Sequence, residues 1–273
     1  MVKPEEKPDS DLGRIDVTKP SVARMYDYYL GGHDYYEADR QACIELSRLA
    51  PSTEALARNN RRFLQRAVGV LARDYGVRQF LDHGSGLPTQ DNVHQVAQRV
   101  DPGARVVYID NDPIVLAHGR TLLDENDKTL VLQAEMTDTD YIFAHPDVRQ
   151  LLDFDAPVAA LFVSVLHCLD DEPAAVLVRE VARRLVPGSF IVISHLASTD
   201  ADLRRKATDL MLANTDGHWG RVREPHEVEA YFDGMEILDP GHLVEVSAWR
   251  PDTEVAPRQR TREWIEYGGI ARI

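Results

Sequence analysis

Cysteine is scarce in this chain of 273 residues. The two thiols, Cys43 and Cys168, lie far apart with no CxxC spacing, so neither a disulfide framework nor a zinc site is expected, and no metal at all. Long apolar runs are missing too. Nothing approaches bilayer-spanning length, and the first residues are charged where a signal peptide would be apolar. Positive charge is in short supply, with Lys+Arg 31 against Asp+Glu 45 and a net charge of -14. That balance works against nucleic acid and anionic membrane as partners. The expectation is a soluble, cytoplasmic protein with a small-molecule substrate; oligomeric state is not legible. What the chain does have is length, enough for one large domain with a substantial core.

Three regions are expected. Residues 1–18 form a polar, proline- and charge-rich tail. Residues 19–76 form a helical extension: a helix over Ser21–Leu30 ended by Gly31-Gly32, another over Ala38–Leu49, and a long one from a Ser52 or Thr53 cap to about Tyr75. In the long helix Leu56, Phe63, Ala67, Val70 and Leu71 recur at helical spacing. Residues 77–273 then alternate. Strands are expected at Gln79–Asp82, Arg105–Ile109, Thr129–Ala134, Val158–Val163 and Ser189–Ser194. Helices are expected at Pro88–Val100, Pro113–Leu123 and Glu172–Leu185. A helical insert occupies about 200–232, and a turn at Asp239-Pro240-Gly241 leads to a closing strand, Leu243–Trp249. Continuously apolar strands alternating with helices predict an α/β, doubly wound, mostly parallel sheet.

In such a sheet ligands bind beyond the carboxyl ends of the strands. After the first strand comes Asp82-His83-Gly84-Ser85-Gly86-Leu87-Pro88-Thr89; the second ends at Asp110-Asn111; the third is followed by Glu135-Met136-Thr137-Asp138, the fourth by Ser164-Val165-Leu166-His167. Singly, each has a plainer explanation: a turn for the glycines, a helix cap for Asp110, a solvated acid for Asp138, a buried histidine for His167. Their arrival at successive strand ends favours one nucleotide-like site, with Asp110 placed to receive ribose hydroxyls. A dinucleotide turn wants G-x-G-x-x-G, but Thr89 holds the third glycine's place and Pro88 supplies no N–H for a phosphate. S-adenosylmethionine has no phosphate and fits better.

Phe80-Leu81-Asp82-His83-Gly84-Ser85-Gly86, Val107-Tyr108-Ile109-Asp110, Ser164-Val165-Leu166-His167 and Arg184-Leu185-Val186-Pro187-Gly188-Ser189 resemble successive motifs of class I S-adenosylmethionine-dependent methyltransferases. Tyr29-Leu30-Gly31-Gly32-His33-Asp34 with Asp39-Arg40, Gly84 to Thr89, Pro240-Gly241 and Trp249-Arg250-Pro251 further resemble an actinobacterial methyltransferase family long classed as a domain of unknown function. The resemblance implies a seven-stranded Rossmann-like sheet with an antiparallel last strand, and S-adenosylmethionine as cofactor. It also implies roles. Asp82 would lie near the ammonium group, Gly84, Ser85 and Gly86 along the methionine part, and Asp110 on the ribose. Asn111, Met136, Thr137 and Asp138 would surround the adenine, with Ser164 and His167 near the sulfonium. Tyr28, Tyr29, Gly31, Gly32, His33 and Tyr35 would fold across the mouth as a lid.

Methyl transfer needs alignment above all, and a base only when the acceptor is protonated. His167 and His33 are the candidate bases, with His195 beside them, and the insert around Met211, Leu212, His218 and Trp219 is where an acceptor pocket is expected. The expected function is methyl transfer to a small molecule. The alternatives are a catalytically idle S-adenosylmethionine-binding protein and, disfavoured by Pro88 and Thr89, an NAD-dependent oxidoreductase.

Overall fold

The protein is described from a computed structural model covering residues 16–89, 91–123, 126–251 and 260–273. Most of the tail expected at 1–18 lies outside these residues. The helices of the extension form as read: α1 (Val22–Leu30), α2 (Glu37–Leu49) and α3 (Thr53–Asp74). Gly31 ends α1 in the left-handed conformation at φ 82°, where a side chain would be strained.

The parallel part of the sheet consists of β1 (Gln79–His83), β2 (Arg105–Asp110), β3 (Thr129–Gln133), β4 (Ala159–Val163) and β5 (Phe190–Ala197). Between them run α4 (Val93–Val100), α5 (Pro113–Leu123), the short α6 (Thr139–Ala144) and α7 (Pro146–Leu151), and α8 (Asp171–Arg184). After β5 come α9 (Ala201–Asn214) and α10 (Pro225–Glu229). The strand order is β3-β2-β1-β4-β5-β8-β6, with β6 (Glu236–Ile237) and β7 (Val244–Glu245) both paired to β8 (Ile265–Arg272). The order reverses between β1 and β4, the place where such sheets open a crevice.

Alternate strand residues serve opposite faces. Phe80, Val106 and Leu161 pack with Phe63 and Val96 on the α3/α4 side; Leu81, Val107 and Phe162 pack with Ile142 and Leu177 on the α6/α8 side. Burial on both faces is what the unbroken apolar runs required. A third cluster joins the extension to the far end of the sheet, placing Met25, Tyr29 and Leu46 against Leu203, Trp219 and Trp264.

Three expectations are corrected. The sheet has eight strands, not seven. The closing segment at Leu243–Trp249 contributes only two residues of strand before a 3-10 turn, and Trp249 instead plugs the core edge-on to Phe63. The long antiparallel strand is β8, which pairs with β5 over eight residues from Phe190↔Arg272 to Ala197↔Ile265. Its Gly268-Gly269 pair disguises it as a loop. A Cβ at Gly268 would lie 2.0 Å from the Ile193 carbonyl oxygen, so glycine is there because the neighbouring strand leaves no room. Finally, the first crossover helix starts at Val93, not Pro88: Asn92 caps it in a capping box, its side chain accepting from Gln95 N while its own N–H donates to Gln95 Oε1 at 2.8 Å.

Candidate active site

The turn after β1 is tied down by its neighbour. The N–H groups of Gly84 and Ser85 both donate to Ile109 O, at 2.8 and 3.1 Å. Gly84 and Gly86 each hold φ 66°, and a Cβ on Gly84 would meet Val165 Cγ2 at 2.2 Å. Beyond Gly86 there is open space, with nothing within 4 Å of where a Cβ would sit. The main chain is thus exposed to a cleft of about 430 Å³, a size proper to a small-molecule site.

Asp82, Gly84, Ser85 and Gly86 line that cleft at the end of β1, Asp110, Asn111 and Asp112 at the end of β2, Glu135 and Met136 after β3, and Ser164 after β4. Asp110 is shared between turns: Oδ2 accepts from Gly86 N at 2.8 Å and Oδ1 from Asp112 N at 2.9 Å. Burial raises its proton affinity, opposed by those N–H groups. Burial pushes Asp82 up to about 7; Arg61 pulls it down and Asp110 pushes it up. Ser164 holds φ 58°, a costly conformation for a residue with a side chain and one that clusters at functional sites.

The structure does not bring every expected residue here. His167 is 2% exposed, enclosed by His195 and Trp219 with ring centroids at 5.4 and 4.9 Å. Desolvation holds it down at about 3, so it stays neutral, and it does not line the cleft. His195 is also enclosed, its Nε2 2.7 Å from Arg223 Nη1 and its Nδ1 2.7 Å from Leu196 O. Thr137 and Asp138 are exposed outside the cleft, and Asp138 caps α6 by accepting from Tyr141 N. Tyr29 points into the third core cluster and donates to Cys43 O at 2.9 Å. Gly32 serves a local turn, since a Cβ there would lie 2.0 Å from Asp27 Oδ1. His33 is exposed and away from the cleft.

The wall that closes the mouth comes from earlier in the chain than expected. Pro20, Ser21, Val22, Ala23 and Tyr26 line it, with Ser21 Oγ donating to Asp112 Oδ2 at 2.6 Å. Asn60, Arg61 and Leu64 of α3 continue this wall. Opposite stand Cys168, Leu169, Thr215 and His218; the last two belong to the insert, whereas Met211 and Trp219 are buried. Exposed Lys19 bridges to Asp216 beside this loop. Only the run Ser21–Leu30 hinted at this wall, and its tyrosines drew attention to the wrong turn.

The electrostatics discriminate between cofactors. Four carboxylates, Asp82, Asp110, Asp112 and Glu135, face the cleft, against one arginine, Arg61. A dinucleotide carries two anionic phosphates and needs a helix N-terminus close behind the turn. Here α4 begins only at Val93. S-adenosylmethionine has an ammonium, a sulfonium and no phosphate, so the donor set fits it. Among the described residues no group of three or more His, Cys, Asp or Glu is placed to hold a metal, and no helix is long and apolar enough to cross a membrane.

Sheet order, switch-point cleft and acid-ringed glycine turn together define the class I S-adenosylmethionine-dependent methyltransferases. A family model described as S-adenosyl methyltransferase matches residues 8–273, and the chain belongs to that family. A candidate methyltransferase from Thermobifida fusca is similar at 39% identity over 97% of this chain and 98% of its own, with a TM-score of 0.86. A DUF574 family protein from Streptomyces avermitilis is similar at 37% identity over 95% and 99%, again with a TM-score of 0.86. Mitomycin 7-O-methyltransferase, at 17% identity over 94% and 74% and a TM-score of 0.51, shares the fold. A search of curated proteins found no match. The chain is an S-adenosylmethionine-dependent methyltransferase, and these matches lend nothing to the idle-protein or NAD readings.

Proposed function

We propose that this methyltransferase modifies a small, soluble acceptor enclosed between the Pro20–Tyr26 wall and the Thr215–His218 loop. The observation that carries the reading is the cleft itself. Its volume of about 430 Å³ has to serve donor and acceptor together, which favours an acceptor of small-molecule size. The net charge of -14 also disfavours nucleic acid.

S-adenosylmethionine supplies a methyl group made electrophilic by its sulfonium. The chain's own residues have to hold, orient and enclose. Asp110 would receive the ribose hydroxyls, its position fixed by Gly86 N and Asp112 N. Asp82 would face the ammonium group, where a positive charge offsets the desolvation that otherwise raises its proton affinity. Gly84 to Gly86 would run along the methionine part, with Asn111 and Met136 beside the adenine. Asn111 is steadied by its 3.0 Å bond to Glu135 Oε1. Thr137, Asp138, Tyr29, Gly32, His33 and His167 are given no role in this reading. The wall from Pro20 to Tyr26 would act as the lid, excluding water while proximity lowers the barrier.

The test is label transfer. Incubated with methyl-labelled S-adenosylmethionine and actinomycete extract, the protein should place label in the low-molecular-mass fraction. Label confined to the protein or nucleic acid fractions would contradict the small-acceptor reading.

A further inference from the structure

Glu266 lies near the start of β8, opposite Leu196 of β5, with 1% of its surface exposed. A carboxyl so placed is costly unless it is paired and hydrogen-bonded. Among the described residues no ion pair reaches Glu266. Its Oε1 accepts from Ser164 Oγ, and its Oε2 has no hydrogen-bond partner. A second hydroxyl beside the carboxyl, that of Ser194, is committed to Asn60 Oδ1 at 2.6 Å. Asn60 Nδ2 in turn donates to Tyr26 Oη at 2.9 Å. The carboxyl is therefore joined to the cleft wall through Ser164, while the Ser194–Asn60–Tyr26 chain passes beside it; Ser164, Asn60 and Tyr26 all line the cleft.

Packing alone does not call for an acid at this position, since the strand around it is apolar or glycine. Ser164 is strained as well, in a conformation that aims a short polar side chain between cleft and carboxyl. The histidines that would otherwise serve as bases lie outside the cleft or, like His218, on its exposed rim.

We infer that Ser164 and Glu266 form the proton-accepting pair of the methyl transfer, Ser164 touching the acceptor's nucleophilic atom and Glu266 taking the proton behind it. This rests on the cofactor reading above, and it narrows the acceptor to a hydroxyl or amine that loses a proton as it is methylated. In the step, the acceptor's oxygen or nitrogen gives its proton to Ser164 Oγ as the serine's own proton passes to Glu266. The acceptor's freed electron pair forms the new bond to the methyl carbon, and the electron pair of the broken C–S bond stays on sulfur. Carboxylate, sulfonium and protonated acceptor become carboxylic acid, thioether and methylated acceptor, so charge and atoms balance. Glu266 is a positioning residue in this scheme, because it reaches the substrate only through Ser164.

Burial pushes Glu266 up to about 8, opposed by the Ser164 hydroxyl that donates to it. The titratable groups facing it are Tyr26 of α1 and Cys168 beyond β4, each raised by its own burial. A sulfonium in the cleft would favour the carboxylate, so the base is ionised when the methyl donor is bound.

The experiment compares two ligands that differ by one methyl group and one charge. Calorimetry at pH 8 in buffers of different ionisation enthalpy counts the protons released when wild type and Glu266→Gln bind S-adenosylmethionine or S-adenosylhomocysteine. Ionisation of Asp82 against the ammonium group is common to both ligands and cancels. Wild type should release up to about half a proton more with S-adenosylmethionine, since a half-protonated carboxyl holds no more than that. In Glu266→Gln the difference should vanish while S-adenosylhomocysteine affinity stays within about two-fold. Equal release for both ligands in wild type, or a difference that survives in Glu266→Gln, would overturn the inference. If the variant does not fold, the glutamate carboxyl ¹³C resonances of labelled wild type read the same ionisation. A high-pKa carboxyl should move toward its ionised position with S-adenosylmethionine alone, and its failure to move would be equally decisive. Failure of either ligand to bind wild type would instead sink the cofactor reading, and this inference with it.

Discussion

Asp39→Ala is expected to lower folding stability by about 3–5 kcal/mol, the range for breaking one side of a buried ion pair. Asp39 is fully buried and is the junction of the extension. Its Oδ1 accepts from Ser21 N at 2.8 Å, and its Oδ2 accepts from Arg24 Nε and Tyr36 N, each also at 2.8 Å. One carboxylate therefore anchors the start of α1, neutralises an arginine that is 3% exposed, and caps α2. Removing it leaves the Arg24 guanidinium with backbone carbonyls and only the exposed Asp16 as a nearby counter-charge. Thermal unfolding should shift down by on the order of 10 °C. Asp39→Asn keeps the shape and one acceptor but loses the charge, and should fall between the two. Because Ser21 also bonds Asp112 at the cleft, the alanine variant should weaken cofactor binding as well. A stability loss below about 1 kcal/mol would show that Asp39 is no such junction.

Asp110→Ala carries the largest expected effect on binding. The carboxylate would be lost as the ribose's hydrogen-bond acceptor, and Gly86 N and Asp112 N would lose the partner that holds the cradle in shape. Charge-assisted bonds of this kind are worth roughly 1–3 kcal/mol, so S-adenosylhomocysteine should bind about 5- to 150-fold more weakly by calorimetry. Asp110→Asn should recover part of the cradle but little of the affinity, since the amide presents one acceptor where the carboxylate presents two. Unchanged affinity in both variants would remove the ribose from Asp110.

The sheet was legible where its residues had only one thing to do. β1, β2, β4 and β5 are buried on both faces and read as apolar runs, and the acids and glycines after them stand in the cleft because strand ends must. Legibility failed where residues served two purposes. β8 holds a buried glutamate and two glycines, each a strand-breaking signal in isolation, and each explained only by a neighbour: Ser164 for Glu266, the Ile193 carbonyl for Gly268. The cleft wall of α3 was hidden for a similar reason. Asn60 and Arg61 sit on a helix whose polar positions look like solvated surface, yet Asn60 is 1% exposed. Gly32 and Tyr29 misled in the opposite direction: their pattern suits a ligand turn, but an aspartate and a core cluster already account for them. Asp138 and His167 follow the right strands but are claimed by a helix cap and a buried ring cluster, and Thr137 is exposed beside them.

The central claim is that the acid-ringed cleft over Gly84–Gly86 holds the methyl donor. Titration calorimetry of the full chain with S-adenosylhomocysteine and, separately, with NAD tests it most directly. One-to-one binding of S-adenosylhomocysteine that is weakened by Asp110→Ala, with no heat from NAD, is the predicted result. Binding of NAD alone, or S-adenosylhomocysteine binding indifferent to Asp110, would contradict it.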